Sequence, residues 1–327
     1  MKILFIFTGG TIGSENKGQC ISANNKTPDL IIEKYKSEYG IDFDYDVIVP
    51  FYILSENLCG VHIKDIYEII KENFENYDGV IVFHGTDTIQ YQAAALSYLF
   101  GNSCKPIFLV SAAYPITNPC SNGICNMHGA VLFIKQKIGK GVFVSYKNKD
   151  DDLKIHRASR LLAHETYSDS LKSVCNSYFG RYTNDFNYIA NNSYFEKNDE
   201  TGLLSPKNLT MPSRIMRINA YPNMPVPFVD NKIKCIIIEG YHSGTINTAN
   251  KEYTEFFKDL KRNNIKTFIF GNPGTDSYES TSDFNDFGIT VLPNIAPIAA
   301  YVKLWLLPCS DFNVEKKLKK SLGGDIF

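Results

Sequence analysis

The chain lacks most of what marks a membrane-spanning, disulfide-built or nucleic-acid-coating protein. No apolar run approaches the ~20 residues that a helix needs to cross a bilayer. The run Ile3–Phe7 is too short for the core of a secretory leader, and TGGTIG follows it instead of a small-residue cleavage site. Net charge is −1, which removes the electrostatic footprint of a general nucleic-acid surface. A local basic segment, Lys316-Lys317-Leu318-Lys319-Lys320, reads as the solvated last turn of a helix, where cations favour the dipole. The eight cysteines, at 20, 59, 104, 120, 125, 175, 235 and 309, include no CxxC pair. Cys120 and Cys125 have no neighbouring Cys/His set, so no zinc site is expected. Free thiols and a cytoplasmic location are the expectation. There is no Gly-Lys-Ser/Thr phosphate loop, no true GxGxxG, no internal repeat and no low-complexity tract. No cofactor is expected.

What is present is an ordinary globular composition, 44% apolar and 21% charged, over 327 residues, enough for two domains. The first half alternates strands predicted at 2–7, 44–49, 79–83, 106–111 and 141–145 with helices predicted at 27–38, 62–76, 90–100 and 124–136. In the second of these helices Ile63, Ile66, Ile69, Ile70 and Phe74 are spaced for one buried face. Strands alternating with helices call for a mostly parallel sheet covered on both sides. From about 176 to 228 the chain is rich in Asn, Tyr, Ser and Pro, and 221–227 carries three prolines, which favours an extended connection. A second alternating unit follows, with strands predicted at 233–239, 267–270 and 289–292 and helices at 248–263 and 295–307. The fold class is therefore α/β, a large mostly parallel sheet domain plus a smaller C-terminal α/β domain. The expected division is 1–190, a linker at 191–228, and 229–327.

Two strands end in hydroxyl-rich turns. Ile3–Phe7 leads into Thr8-Gly9-Gly10-Thr11-Ile12-Gly13, and Gly79–Phe83 leads into His84-Gly85-Thr86-Asp87-Thr88. The carboxyl ends of strands are where open parallel sheets bind ligands. Two threonines and an aspartate meeting there suit attack on a small polar carbonyl compound. Each piece also has a plainer account. The glycines can simply form a tight turn, Thr86 and Thr88 can cap the helix starting near Ile89, and Asp87 can offset its dipole. His84 reads as a structural hydrogen-bonding residue, and Ser14–Gly18 as a flexible loop.

Together TGGTI and HGTDT resemble the two signatures of the L-asparaginase family. Ser55-Glu56-Asn57, Ser111–Pro115, Gly240–Thr245 and the closing helix Ala300–Leu307 agree in order, so the resemblance spans nearly the whole chain. It implies a larger flavodoxin-like domain and a smaller α/β domain. It places the active site between the large domain of one subunit and the small domain of its partner, hence a homodimer or homotetramer. Thr11 then matches the nucleophile, and Thr86 and Asp87 match the second threonine and the aspartate of the catalytic set. Ser55 and Asp87 match the residues that hold the substrate's α-carboxylate and α-amino groups, with Glu56 assisting. Gly10, Gly85, Ser111, Tyr114 and Thr245 complete the expected substrate site. A threonine hydroxyl is a weak nucleophile that a neighbour must deprotonate, and a glycine-rich turn can supply N–H donors to the oxyanion.

Three positions depart from the family pattern. Cys20 stands where the flexible loop carries a tyrosine, with Tyr114 a stand-in from the neighbouring loop. Counting from Lys172-Ser173-Val174, Leu162 occupies the place of the catalytic lysine. Arg160 is the nearest cation; it stays protonated at physiological pH, so it could pair with Asp87 but not accept a proton. Asn122 replaces an aspartate in a structural position. Three functions are compatible with this pattern: an amidohydrolase on asparagine, the same fold acting on a related amide such as glutamine or D-asparagine, or an amino-acid-binding or regulatory protein that has lost the proton relay.

Overall fold

The structure, a computed structural model, describes residues 1–10, 12, 14–17, 20–23, 27–271, 278–292, 294–307 and 313–327, without the side chains of 14–17 and 20–23. In chain order the first half comprises β1 (Lys2–Phe7), β2 (Ser14–Lys17), β3 (Cys20–Ala23), α1 (Thr27–Tyr39), β4 (Asp44–Ile48), α2 (Gly60–Asn73), β5 (Gly79–Phe83), α3 (Ile89–Phe100), β6 (Pro106–Val110), α4 (Gly123–Lys135) and β7 (Gly141–Lys147). Three short strands extend it, β8 (Leu153–Arg157), β9 (Gly180–Tyr182) and β10 (Tyr188–Ala190). These build an eight-stranded sheet in the order β10-β9-β8-β7-β6-β5-β1-β4.

Period-two alternation divides the central strands between two cores. Ile3, Phe5 and Phe7 of β1 join Ile81, Phe83, Phe108 and Val110 on the face covered by α1 and α4, through Ile31, Tyr35, Met127 and Phe133. Leu4 and Ile6 join Val80, Val82, Ile107 and Leu109 on the face covered by α2 and α3, through Ile66, Ile70, Ile89, Ala93 and Leu96. Each large apolar side chain so buried contributes about 1.5–3 kcal/mol. Burial on both faces is why these strands read as unbroken apolar runs. The edge strand β4 exposes Asp44 and Asp46, charges that discourage pairing with another chain.

The mostly parallel sheet gains an antiparallel edge, and one expectation is corrected. The sheet is parallel from β4 through β7, but β7–β8, β8–β9 and β9–β10 pair antiparallel. The connections at 148–152 and 183–187 are too short for a crossover and permit only hairpins. Ser14–Gly18 is not wholly a loop, since β2 and β3 form a hairpin in the register Ser14↔Ala23 to Lys17↔Cys20.

The second half comprises β11 (Ile215–Asn219), β12 (Cys235–Glu239), α5 (Lys251–Arg262), β13 (Lys266–Phe270), α6 (Glu279–Ser282), α7 (Phe284–Phe287), β14 (Ile289–Val291), α8 (Pro297–Leu306) and α9 (Val314–Leu318). Its four strands run parallel in chain order. β11 arises inside the stretch expected as an extended connection, because its residues find a pairing partner in β12, while Ile215 buries in the core shared with α3 and α8 and Ile218 in the core on the other face of the smaller sheet. Between the sheets α3 packs on α8, with Ala94, Ala95, Tyr98 and Leu99 against Ile298, Ala299 and Val302, in one core with Ile237 and Phe268 of the smaller sheet.

Strand order reverses at β1: the chain leaves it for β4 on one side and then places β5 on the other. The crevice at the carboxyl ends of β1 and β5 is thus the topological switch point, where open α/β sheets take ligands.

Candidate active site

Three loops meet in that crevice. Gly10 N–H donates to Ile53 O at 2.9 Å and Ile53 N–H to Thr8 O at 3.0 Å, so the turn after β1 is zipped to the segment after β4. Thr8 is tied to β5, its hydroxyl donating to Phe83 O at 2.8 Å. Gly10 has φ +73°, and a Cβ there would collide with the Gly85 backbone. A Cβ on Gly85 would in turn run into the Ser55 side chain. Glycine at 10 is thus required both by the left-handed backbone and by the close approach of a second loop.

Ser55 opens the short helical turn Ser55–Asn57 and is buried. Its hydroxyl donates to Asp87 Oδ2 at 3.1 Å. Thr88 sits at the N-cap position of α3, yet its hydroxyl donates across to Ser55 O at 2.8 Å rather than capping the helix. Gln90 Nε2 donates to Asp87 O at 3.0 Å, holding the HGTDT turn from within α3. Thr86 is half-buried and Asp87 exposed, so the carboxylate faces the open side while its anchors lie underneath. It also stands at the amino end of α3, where a negative charge is favoured. His84 is structural, as expected: its backbone N–H donates to Val110 O and Nδ1 lies 2.8 Å from Gly85 O. Burial pushes its imidazole down to about 4, so it is neutral at pH 7.

The remaining expected residues surround this cluster unevenly. Ser111, at the end of β6, is fully buried and its hydroxyl has no hydrogen-bond partner among the described residues; its carbonyl accepts from Asn126. Tyr114 is exposed on the next loop. Asn122 fastens that loop, accepting from Ala113 N–H at 2.9 Å and donating to Lys147 O at 2.8 Å. Glu56 is exposed beside Ser55. Thr245 belongs to a turn after β12 that closes on itself, Tyr241 N–H donating to Thr245 O at 2.9 Å. Thr11 and Gly13 lie outside the described residues, and of Cys20 only the backbone, in β3, is described.

The cation expected from Arg160 is not available to Asp87. Arg160 is fully buried. Its Nε donates to Gly324 O at 2.7 Å, and its Nη2 to Phe195 O at 2.6 Å and Ile326 O at 3.1 Å. It therefore ties Phe195 to the C-terminal segment Gly324–Ile326. Leu162 is half-buried, and its backbone donates to Lys172 O. Two residues further on is His164, half-buried and edge-on to Tyr146 with ring centroids 6.1 Å apart. Burial pulls its imidazole below the ordinary value, against the opposing pull of the Asp87 charge. Among the described residues no group of three His, Cys, Asp or Glu side chains is placed to hold a metal ion, and no helix is long and apolar enough to cross a membrane.

Comparison with known proteins bears on the fold and the family. L-asparaginase I of Vibrio cholerae superposes with a TM-score of 0.79 at 19% identity, over 100% of this chain and 99% of that one. The thermostable L-asparaginase of Thermococcus kodakarensis does so with a TM-score of 0.81 at 22% identity, over 100% and 99%. At those identities the likeness is one of fold. In sequence the chain is similar to a subunit of the glutamyl-tRNA(Gln) amidotransferase of Saccharolobus solfataricus, 27% identical over 96% of this chain and 73% of that protein. The corresponding protein of Sulfurisphaera tokodaii is 24% identical over 94% and 70%. Residues 2–194 match the family described as Asparaginase, N-terminal, and with more than half of its length so matched the chain belongs to the asparaginase family.

Proposed function

We propose that the chain hydrolyses the side-chain amide of L-asparagine to L-aspartate and ammonia. The observation that carries this is the meeting of Gly10, Ser55, Gly85 and Asp87 at the switch point, with Ser55 bonded to Asp87 and the HGTDT turn held rigid from below. In this account Thr11 attacks the amide carbon, Thr86 and Asp87 serve proton transfer, and Ser55 and Asp87 hold the α-carboxylate and α-ammonium, with Glu56 adding negative charge for the latter. Backbone N–H groups of the Gly10 and Gly85 turns are suited to stabilising the oxyanion. Tyr114 and Ser111 border the site. Ammonia leaves from the first tetrahedral intermediate, and water then cleaves the aspartyl ester. Acid quenching during turnover, followed by mass spectrometry, tests the route: an aspartyl adduct on the peptide containing Thr11 supports it, and an adduct on any other residue contradicts it.

A second assignment is favoured by the sequence relatives, which are named as amidotransferase subunits. In it the same site releases ammonia for transfer by a partner protein. Activity on free asparagine that rises several-fold when a partner is co-purified would favour it. On either assignment we place Thr245 of one subunit at the site of another, so that a dimer is the smallest active unit. We also take 1–190 as the larger domain and the unit that begins with β11 as the smaller one, and the cytoplasm as the location.

A further inference from the structure

Where α2 and α3 face β11 and α8 there is a cavity of about 480 Å³, inside the ~300–1,000 Å³ range of small-molecule sites. Its walls are largely aromatic. Tyr91 of α3 meets Tyr301 of α8 edge-on with ring centroids 6.0 Å apart, and Tyr301 lies tilted against Trp305, also at 6.0 Å. Tyr91, Tyr301 and Trp305 are each half-buried, so their rings are covered only in part. The polar groups are few, and two of them touch. Arg217 of β11 donates through Nη1 to the Tyr91 hydroxyl at 2.7 Å. The guanidinium is fixed by an ion pair from Nη2 to Glu239 and lies over the Tyr301 ring, Cζ 5.9 Å from its centroid.

This hydrogen bond has a direction that selects a ligand. Tyr91 Oη accepts from a cation, which leaves its own O–H to donate and polarises it toward an acceptor. Among the described residues the one charged side chain that lines the cavity is Arg217, and no acidic side chain lines it. A carboxylate therefore meets a strengthened O–H and a positive charge there, a charge-assisted contact. A ring beside that carboxylate covers the apolar faces of Tyr301 and Trp305, which a small anion would leave in water. We propose that the cavity binds a small aromatic carboxylate, its ring against Tyr301 and Trp305 and its anion on the Tyr91 hydroxyl beside Arg217. This site is separate from the crevice of the amidohydrolase assignment and does not depend on it. The two share one residue: Thr88 lines the cavity, while its hydroxyl donates to Ser55 O at 2.8 Å and Ser55 is bonded in turn to Asp87.

Trp305 is the chain's one tryptophan, so its fluorescence reports on this cavity directly. The full chain is titrated with 3-phenylpropionate, with the neutral 3-phenylpropan-1-ol and with the ringless propionate. The aromatic carboxylate should change Trp305 emission saturably, with a Kd on the order of a millimolar or tighter. The alcohol and propionate should each bind at least about tenfold more weakly. Tyr91→Phe keeps the ring and removes the donor, so it should weaken 3-phenylpropionate by roughly tenfold or more with the thermal midpoint near the parent's. No saturable change with 3-phenylpropionate overturns the proposal, whatever the chain's activity on amides. An equal response to the alcohol overturns it too, since the cavity would then be merely apolar, and undiminished binding by Tyr91→Phe places the ligand elsewhere. Emission that follows the association of two chains and ignores all three compounds assigns the cavity to a second copy and overturns the small-molecule site.

Discussion

Single residues carry the site's chemistry, and the glycines carry its shape. Gly10→Ala should cost about 2–4 kcal/mol, since the new methyl meets the Gly85 backbone at a positive φ. Chemical denaturation would show the midpoint falling; an unchanged midpoint would mean that the two loops are not in contact. Thr11→Ala should lower ammonia release by roughly 10³-fold or more with the fold intact, checked by turnover and circular dichroism together. Parent-like rates would remove Thr11 from the nucleophile's role. At this scale the sequence was legible where a residue type is tied to a backbone demand. TGGTI and HGTDT stand out because few turns need such glycines beside hydroxyls. It was illegible where function depends on which way a side chain points. Nothing in Arg160-Leu161-Leu162 says that the arginine turns toward Gly324 and away from Asp87.

Elements set where those residues meet. The helices and central strands were readable from periodicity, because burial on both faces of β1, β5 and β6 and on one face of α2 leaves a plain pattern. The antiparallel edge was not, since β8 to β10 are short, interleaved with polar residues and stabilised by ties remote in sequence. Arg160 is one such tie. Arg160→Met should leave the carbonyls of Gly324, Phe195 and Ile326 without this donor, at about 3 kcal/mol or more. The thermal midpoint should fall while kcat/KM of the folded protein stays within about twofold. A selective loss of activity at unchanged stability would restore Arg160 to the site. A neighbouring network, fully buried Lys303 donating to Asp325 at 2.6 Å with Tyr98 at 3.0 Å, anchors the same segment to α3 and α8.

The whole molecule joins two sheets through one interhelical core, α3 on α8. Long-range assembly of this kind leaves little trace in local pattern, and small residues such as Ala94, Ala95 and Ala299 are its only hint. Acid should weaken the whole. Burial holds His84 down to about 4 and His156 to about 3, against 6.5 when unfolded. Between those values the unfolded chain binds more protons, so stability should fall as pH drops from about 6.5 toward 4. A tenfold difference in proton affinity is worth about 1.4 kcal/mol, so the loss is on the order of a few kcal/mol. Denaturant midpoints at pH 7 and pH 5 measure it, and equal midpoints would contradict it.

The proposed function stands or falls with amide cleavage at the Gly10, Ser55, Gly85 and Asp87 crevice. Its most direct test is ammonia release by the purified chain with L-asparagine, L-glutamine, D-asparagine and buffer in parallel, and with Thr11→Ala as control. Turnover of L-asparagine should stand well above buffer and above the other amides and be lost in the variant. No ammonia from any of them, with a thermal shift on adding asparagine or aspartate, would contradict it and make the crevice an amino-acid-binding site.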